Sequence, residues 1–168
     1  TIEAERIFAA IRTISLDVTG VPECLKTEPN APSPNGEYST VSISSNVSQR
    51  GQAIVHQDLL GPGTMTVDVR PQAITEVSIN FYRGNAADRA QRLLQANKLP
   101  SVSEKLFAAG LGWQRAGPVN KITGLQGPGF ESRAQVSLFL LHEVNFLDAE
   151  PEDVYTIEQA PLQVWGLV

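Results

Sequence analysis

The sequence predicts a mixed fold, with helices and one mostly antiparallel sheet in a single domain. Apolar residues recur at helical spacing in some segments and alternate with polar ones in others, and the links between alternating segments are too short for crossover helices, so neighbouring strands run antiparallel. The 168 residues suffice for one core and not comfortably for two, since domains cluster around ~100–150 residues. A hydrophobic share of 42% beside 18% charge excludes disorder, coiled coil and collagen-like chains.

Taken in order, Ala4, Ile7, Phe8 and Ile11 mark one face of a first helix, with Glu3, Glu5, Arg6 and Arg12 around the rest. The segment from Thr27 to Gly36 carries prolines that lack a donor and fix φ, and it reads as a surface loop. Val41, Ile43 and Val47 then alternate with Thr40, Ser42 and Ser44; Met65, Val67 and Val69 repeat the pattern, as do Val77, Ile79 and Phe81 beyond Pro71. All are assigned to one antiparallel sheet, with the glycine-flanked segment Gln49–Gly63 protruding as a loop or hairpin. Asn85 is placed as the cap of a second helix whose Ala86, Ala90, Leu93 and Leu94 share a face, with Asp88 in the first turn. Ser101-Val102-Ser103-Glu104 matches a capping box and opens a short third helix that Gly110 stops. After a turn-rich stretch from Gly117 to Gly129, the residues from Ala134 to Phe146 alternate as the longest strand. There Phe139 and Leu141 make the centre apolar on both sides, so helices are expected on one face and another surface on the other. A turn over Asp148–Asp153 and a last strand over Val154–Ala160 complete the reading.

The chemistry-bearing residues are sparse. Neither His56 nor His142 has a partner at metal-ligand spacing, and no serine or cysteine sits in a nucleophile elbow that His56 and Asp58 could serve. His142 falls on the core-facing alternation of the long strand, which predicts a half-buried imidazole with one hydrogen bond. The glycines from Gly124 to Gly129 lack the GK[ST] ending of a phosphate loop and read as a turn. Asp148, Glu150, Glu152 and Asp153 lack EF-hand spacing and read as a solvated turn. No catalytic, cofactor or metal site is therefore expected. The net charge of −5 has the wrong sign for gripping phosphates, and the basic residues are dispersed without aromatic interleaving. A lone Cys24 and the lack of an apolar leader predict a reducing compartment, with Cys24 a small buried hydrophobe, and no run is long enough for a membrane helix.

Four stretches in series carry a resemblance. They are Glu28-Pro29-Asn30-Ala31-Pro32-Ser33-Pro34 leading to Tyr38; Val77-Ser78-Ile79-Asn80-Phe81-Tyr82-Arg83-Gly84 with Ala86, Asp88, Arg89 and Ala90; Gly110-Leu111-Gly112 with Gly117-Pro118-Val119, Thr123 and Leu125; and Phe130-Glu131-Ser132-Arg133-Ala134-Gln135-Val136-Ser137-Leu138. Over roughly Val21 to Ala160 the chain resembles the neck or tail terminator proteins of long-tailed bacteriophages. It departs from their pattern in having Phe130 where tryptophan is expected and in a longer or more irregular Gln49–Gly63 segment.

The resemblance implies an α+β fold, a mostly antiparallel sheet with two to three helices packed on one face. It implies a structural virion protein at the head-proximal end of the tail, assembled in the host cytoplasm. Such a protein forms a ring, expected to be a hexamer, that caps the tail tube. Its implied partners are the tail tube protein, the neck or connector protein of the head, the sheath protein if the tail is contractile, and genomic DNA that passes without specific binding. Head-completion connectors and tube proteins remain rivals of similar build, and a small enzyme or ligand-binding module using the Gln49–Gly63 loop is a rival of another class. For the subunit or tube interface the candidates are Arg50, His56, Asp58, Leu59 and Leu60, because two adjacent leucines in a polar segment mark a partner surface.

Overall fold

The computed structural model describes residues 2–28, 32–61, 64–122, 124–126, 129–144, 146–147 and 152–153. The helices are α1 (Ile2–Thr19), α2 (Ala86–Gln95) and α3 (Pro100–Ala108). The strands are β1 (Cys24–Lys26), β2 (Tyr38–Gln49), β3 (Ile54–Gly61), β4 (Thr64–Arg70), β5 (Gln72–Tyr82), β6 (Leu111–Ala116), β7 (Asn120–Lys121), β8 (Gly124–Gln126), β9 (Gly129–Glu131), β10 (Arg133–Glu143), β11 (Phe146–Leu147) and β12 (Glu152–Asp153). The fold is α+β.

Among the described residues the central sheet has the order β1-β2-β5-β10-β6, with β7 on the same side of β10 as an outer strand. Only the β1–β2 pair is parallel. The alternation on β5 and β10 sends Val77, Ile79 and Phe81, with Ala134, Val136, Leu138 and Leu140, onto one face, where all are buried. The helices cover that face with Ile7, Ile11 and Ile14 from α1, Ala86, Ala90 and Leu93 from α2, and Val102 and Leu106 from α3. Each large apolar side chain so removed from water stabilises the fold by about 2–3 kcal/mol. Cys24 joins this core, and burial pushes its thiol pKa up.

Four local expectations are corrected. Asn85 stands at the N-cap of α2 but its side chain makes no cap hydrogen bond. The third helix starts earlier than the capping box predicts: Pro100 occupies its first turn and Leu99 is the cap, because proline has no N–H to lose there, and Ser101 falls inside the helix. Thr64–Arg70 belongs to a second sheet, with β3 on one side of β4 and β11 and β12 on the other, rather than to the central one. The physical reason is Pro71, which has no N–H to donate and separates β4 from β5. Glu152 and Asp153 are strand residues opposite Met65 and Thr64, not part of a turn. Val154–Ala160, and Asp148 and Glu150 of the acidic turn, lie outside the described residues. Gly110, at φ 67, stops α3 as expected of a left-handed C-terminal residue.

Candidate assembly surface

The second sheet is an extension of the first. Glu143 stands opposite Gln72 at the end of β10, and Phe146 stands opposite Val69 three residues on, so the same pairing register crosses Pro71 without a slip. The Val144 N–H donates to the Pro71 carbonyl at 3.0 Å and keeps the strands together at the bend. On the other side β2 runs out at Gln49, the Arg50 N–H donates to the Gln72 carbonyl at 2.8 Å, and the chain turns through Gly51, at φ 71, before β3 resumes pairing with Ile54 opposite Arg70. A positive φ is a conformation that glycine adopts without steric cost. The result is a β-arm, with β4 at its centre, that continues β2, β5 and β10 beyond the end of the helical layer.

Charged groups brace the root of the arm. Arg70 donates to Asp68 at 2.7 Å and faces Glu143 at 3.8 Å. The hydrogen bond that Arg70 donates to Asp68, and then the Asp68 charge, push the Arg70 pKa further up.

The candidate residues map onto this arm. Arg50 is exposed at the bend, and His56 and Asp58 are exposed on one face of β3, opposite Asp68 and Thr66. No hydrogen bond joins His56 to Asp58 among the described residues, so the two are not arranged as base and orienter. Leu59 lies opposite Met65, and Leu60 sits where the register shifts before Gly61. Sequence reasoning passed over Ile54 and Val55, which are 48% and 53% exposed. Adjacent strand residues point to opposite faces, so both faces of the arm carry an uncovered β-branched side chain. Two consecutive β-branched residues in a polar segment were the available signal.

An open cleft of about 470 Å³ lies between the start of α1 and the bulged part of β2, lined by Ala4, Ile7, Ile43, Val47, Thr75 and His142. His142 is 5% exposed, its Nε2 pairs with the Thr75 hydroxyl at 2.7 Å, and its Nδ1 has no hydrogen-bond partner among the described residues. Burial lowers its pKa, partly offset by the charge of Glu3.

The helix-free face of the central sheet is a ladder of partnered polar and aromatic groups. Tyr38 and Tyr82 stack with centroids 4.5 Å apart, and Arg133 lies 5.0 Å over the Tyr82 ring while bonding to Asn80 at 3.0 Å. Gln135 donates to Ser78 at 2.7 Å. Phe139, expected to need a cover, is roofed by the Arg115 guanidinium at 3.6 Å.

Among the described residues no group of three or more His, Cys, Asp or Glu side chains is placed to hold a metal ion, and no helix is long and apolar enough to cross a membrane. The fold and its surface thus define a class: an α+β domain with a projecting β-arm, whose uncovered apolar groups lie along strands that a partner can reach. Residues 5–165 match the family model of phage neck terminator proteins, and the chain belongs to that family. It is accordingly a structural protein of the bacteriophage neck and a component of the virion. No individual curated protein matches it.

Proposed function

We propose that this chain ends the growth of the phage tail tube and joins the finished tail to the head. A tube grows by stacking rings through head-to-tail contacts, which have no intrinsic stopping point. A ring of this protein, a hexamer in our reading, offers the last tube ring a matching face and offers incoming tube subunits an opposite face they cannot bind. That opposite face docks the neck or connector protein of the head, and the outer wall meets the sheath protein if the tail is contractile. Genomic DNA traverses the ring without being held, in keeping with the acidic balance of the chain. No bond is made or broken, so the protein is not an enzyme, and assembly takes place in the host cytoplasm at the head-proximal tail end.

The observation that carries the reading is the β-arm in a chain of this family. It projects past the core and leaves Ile54 and Val55 uncovered, and exposed apolar groups of this kind mark partner surfaces. We assign Arg50, His56, Asp58, Leu59 and Leu60 to the same contact. The test is to add the purified chain to polymerising tube protein and measure tube lengths by electron microscopy. Lengths that stop increasing on addition, with the chain at one tube end, support the proposal; tubes that elongate as they do without it overturn it.

A further inference from the structure

We propose that the hairpin running from β7 to β10 is a second docking element, whose Phe130 enters an apolar pocket with an acidic rim on the neck or connector protein of the head. This rests on the capping reading above, in which the β-arm meets the tube, and it names the residues of the head-facing side.

The first observation is register. Asn120 and Lys121 of β7 stand opposite Gln135 and Ala134 of β10, and the Ile122 N–H donates to the Arg133 carbonyl at 2.8 Å. Gly124, Leu125 and Gln126 of β8 stand opposite Glu131, Phe130 and Gly129 of β9, which continues the same pairing without a slip. The last pair of β5 with β10 is Tyr82 with Arg133, so Phe130 lies three residues past the end of β5. At ~3.4 Å per residue that is about 10 Å. A β-ribbon thus projects from this end of the sheet, while the β-arm leaves from the other end, at Gln72 and Glu143. The length of β5 holds the two elements about 34 Å apart, a separation that suits two partners on opposite sides of a ring.

The second observation is a braced base beneath uncovered apolar residues. The Arg83 N–H donates to the Ser132 carbonyl at 2.7 Å, and the Arg83 guanidinium donates to Glu131 at 2.8 Å. Arg83 does this at φ 65, and backbone strain kept in a native fold clusters at functional positions. Beside this fixed base Phe130 is 78% exposed and Ile122 40%. Adjacent strand residues point to opposite faces, so Phe130 points away from the side on which Glu131 meets Arg83. An aromatic ring held in place by its own backbone loses little freedom on binding, which is what makes such a residue an anchor.

The third observation is charge, which sets the chemistry of the partner. The chain has no acidic residue between Glu104 and Glu131. Arg83 neutralises Glu131. Lys121 and Arg133 have no ion pair among the described residues. Arg133 is engaged by neutral groups, the Asn80 side chain at 3.0 Å and the Tyr82 ring at 5.0 Å, so its charge stands. Of the other acids at this end, Glu37 is paired with Arg89, and Asp88 lies on α2 in the helical layer. Glu23, before β1, is four strand spacings from β7, about 19 Å. The ribbon is therefore locally positive on a chain whose net charge is −5, and an acidic rim around the receiving pocket complements it.

Supplying variants in trans to a phage that lacks this chain, with tails and heads scored by electron microscopy, tests this. Phe130→Asp should melt as the wild type does, because the side chain is exposed, and should restore normal tail length. It should leave those tails detached, with joined particles down by about thirtyfold, the loss expected for one aromatic anchor. Lys121→Glu, with Phe130 intact, should lower joining severalfold. Phe130→Asp tails of normal length that join heads as the wild type does overturn the inference and leave the capping reading standing. Overlong Phe130→Asp tails also overturn it, since they put the ribbon on the tube side. Unchanged joining by Lys121→Glu overturns the acidic rim. If the wild-type chain itself restores neither length nor attachment, the capping reading fails and this inference with it.

Discussion

Arg83 is held in a conformation it would otherwise avoid, and replacing it separates backbone strain from side-chain contact. Its φ of 65 is the left-handed region, which costs a non-glycine residue about 1–2 kcal/mol. Against this its guanidinium donates to Glu131 at 2.8 Å, to the Gly36 carbonyl at 3.0 Å and to the Pro34 carbonyl, and lies 5.6 Å over the Tyr38 ring. These contacts pin the 32–37 loop to the end of β5. Bonds from a charged donor contribute roughly 1.5–3 kcal/mol when sheltered and less when wet. The Arg83 side chain is 32% exposed and Glu131 13%, so the set is worth about 3 kcal/mol in all, discounted for screening. Arg83→Gly loses the contacts and regains about 1 kcal/mol of strain, a net loss of about 2 kcal/mol. Arg83→Ala keeps the strain and loses about 3 kcal/mol. At roughly 2–4 °C per kcal/mol for a chain of this size, the melting temperatures fall by about 4–8 °C and about 6–12 °C. Urea unfolding followed by circular dichroism reads both. A glycine variant as stable as the wild type, or an alanine variant equal to the glycine one, would refute the reasoning.

Other expectations follow from the same contacts. Because His142 is buried with its pKa lowered below 6.5, the unfolded chain binds the proton more readily. Its contribution to stability is thus complete above that value and is lost as pH falls below it; the fall in urea midpoint from about pH 8 to about pH 5 should be shallower in His142→Leu than in the wild type. Asn85→Ala and Ser101→Ala should each change unfolding free energy by less than about 0.5 kcal/mol, against the ~1 kcal/mol of a working cap, whereas Gly110→Ala should cost about 1 kcal/mol or more by thermal melt. Ile54→Asp with Val55→Asp should leave stability within about 0.5 kcal/mol, since both side chains are half exposed, and should abolish tube capping in the length assay.

The sequence is most legible where one physical demand dominates. Strands β5 and β10 are covered on one face by helices, so the alternation through Val77, Ile79 and Phe81 and through Val136, Leu138 and Leu140 survives in the chain. Asn85 is a good capping residue by type, yet its backbone, at φ −85 and ψ 45, does not aim the side chain at the helix N–H groups. The arm shows the other limit. Composition singles out the protruding segment that holds Arg50, His56, Asp58, Leu59 and Leu60, and Pro71 marks a break in the pairing, but the break alone does not tell that Met65, Val67 and Val69 pair with that segment and not in the central sheet. That depends on Phe146 and Leu147 arriving in unbroken register from β10, a long-range fact.

The central claim is that this protein stops a polymer by covering its end. Electron micrographs of particles made by a phage lacking only this chain test it most directly. The account predicts tails longer than normal and unattached to filled heads, with length and attachment recovered when the chain is supplied in trans. Tails of normal length joined to heads in its absence would contradict it.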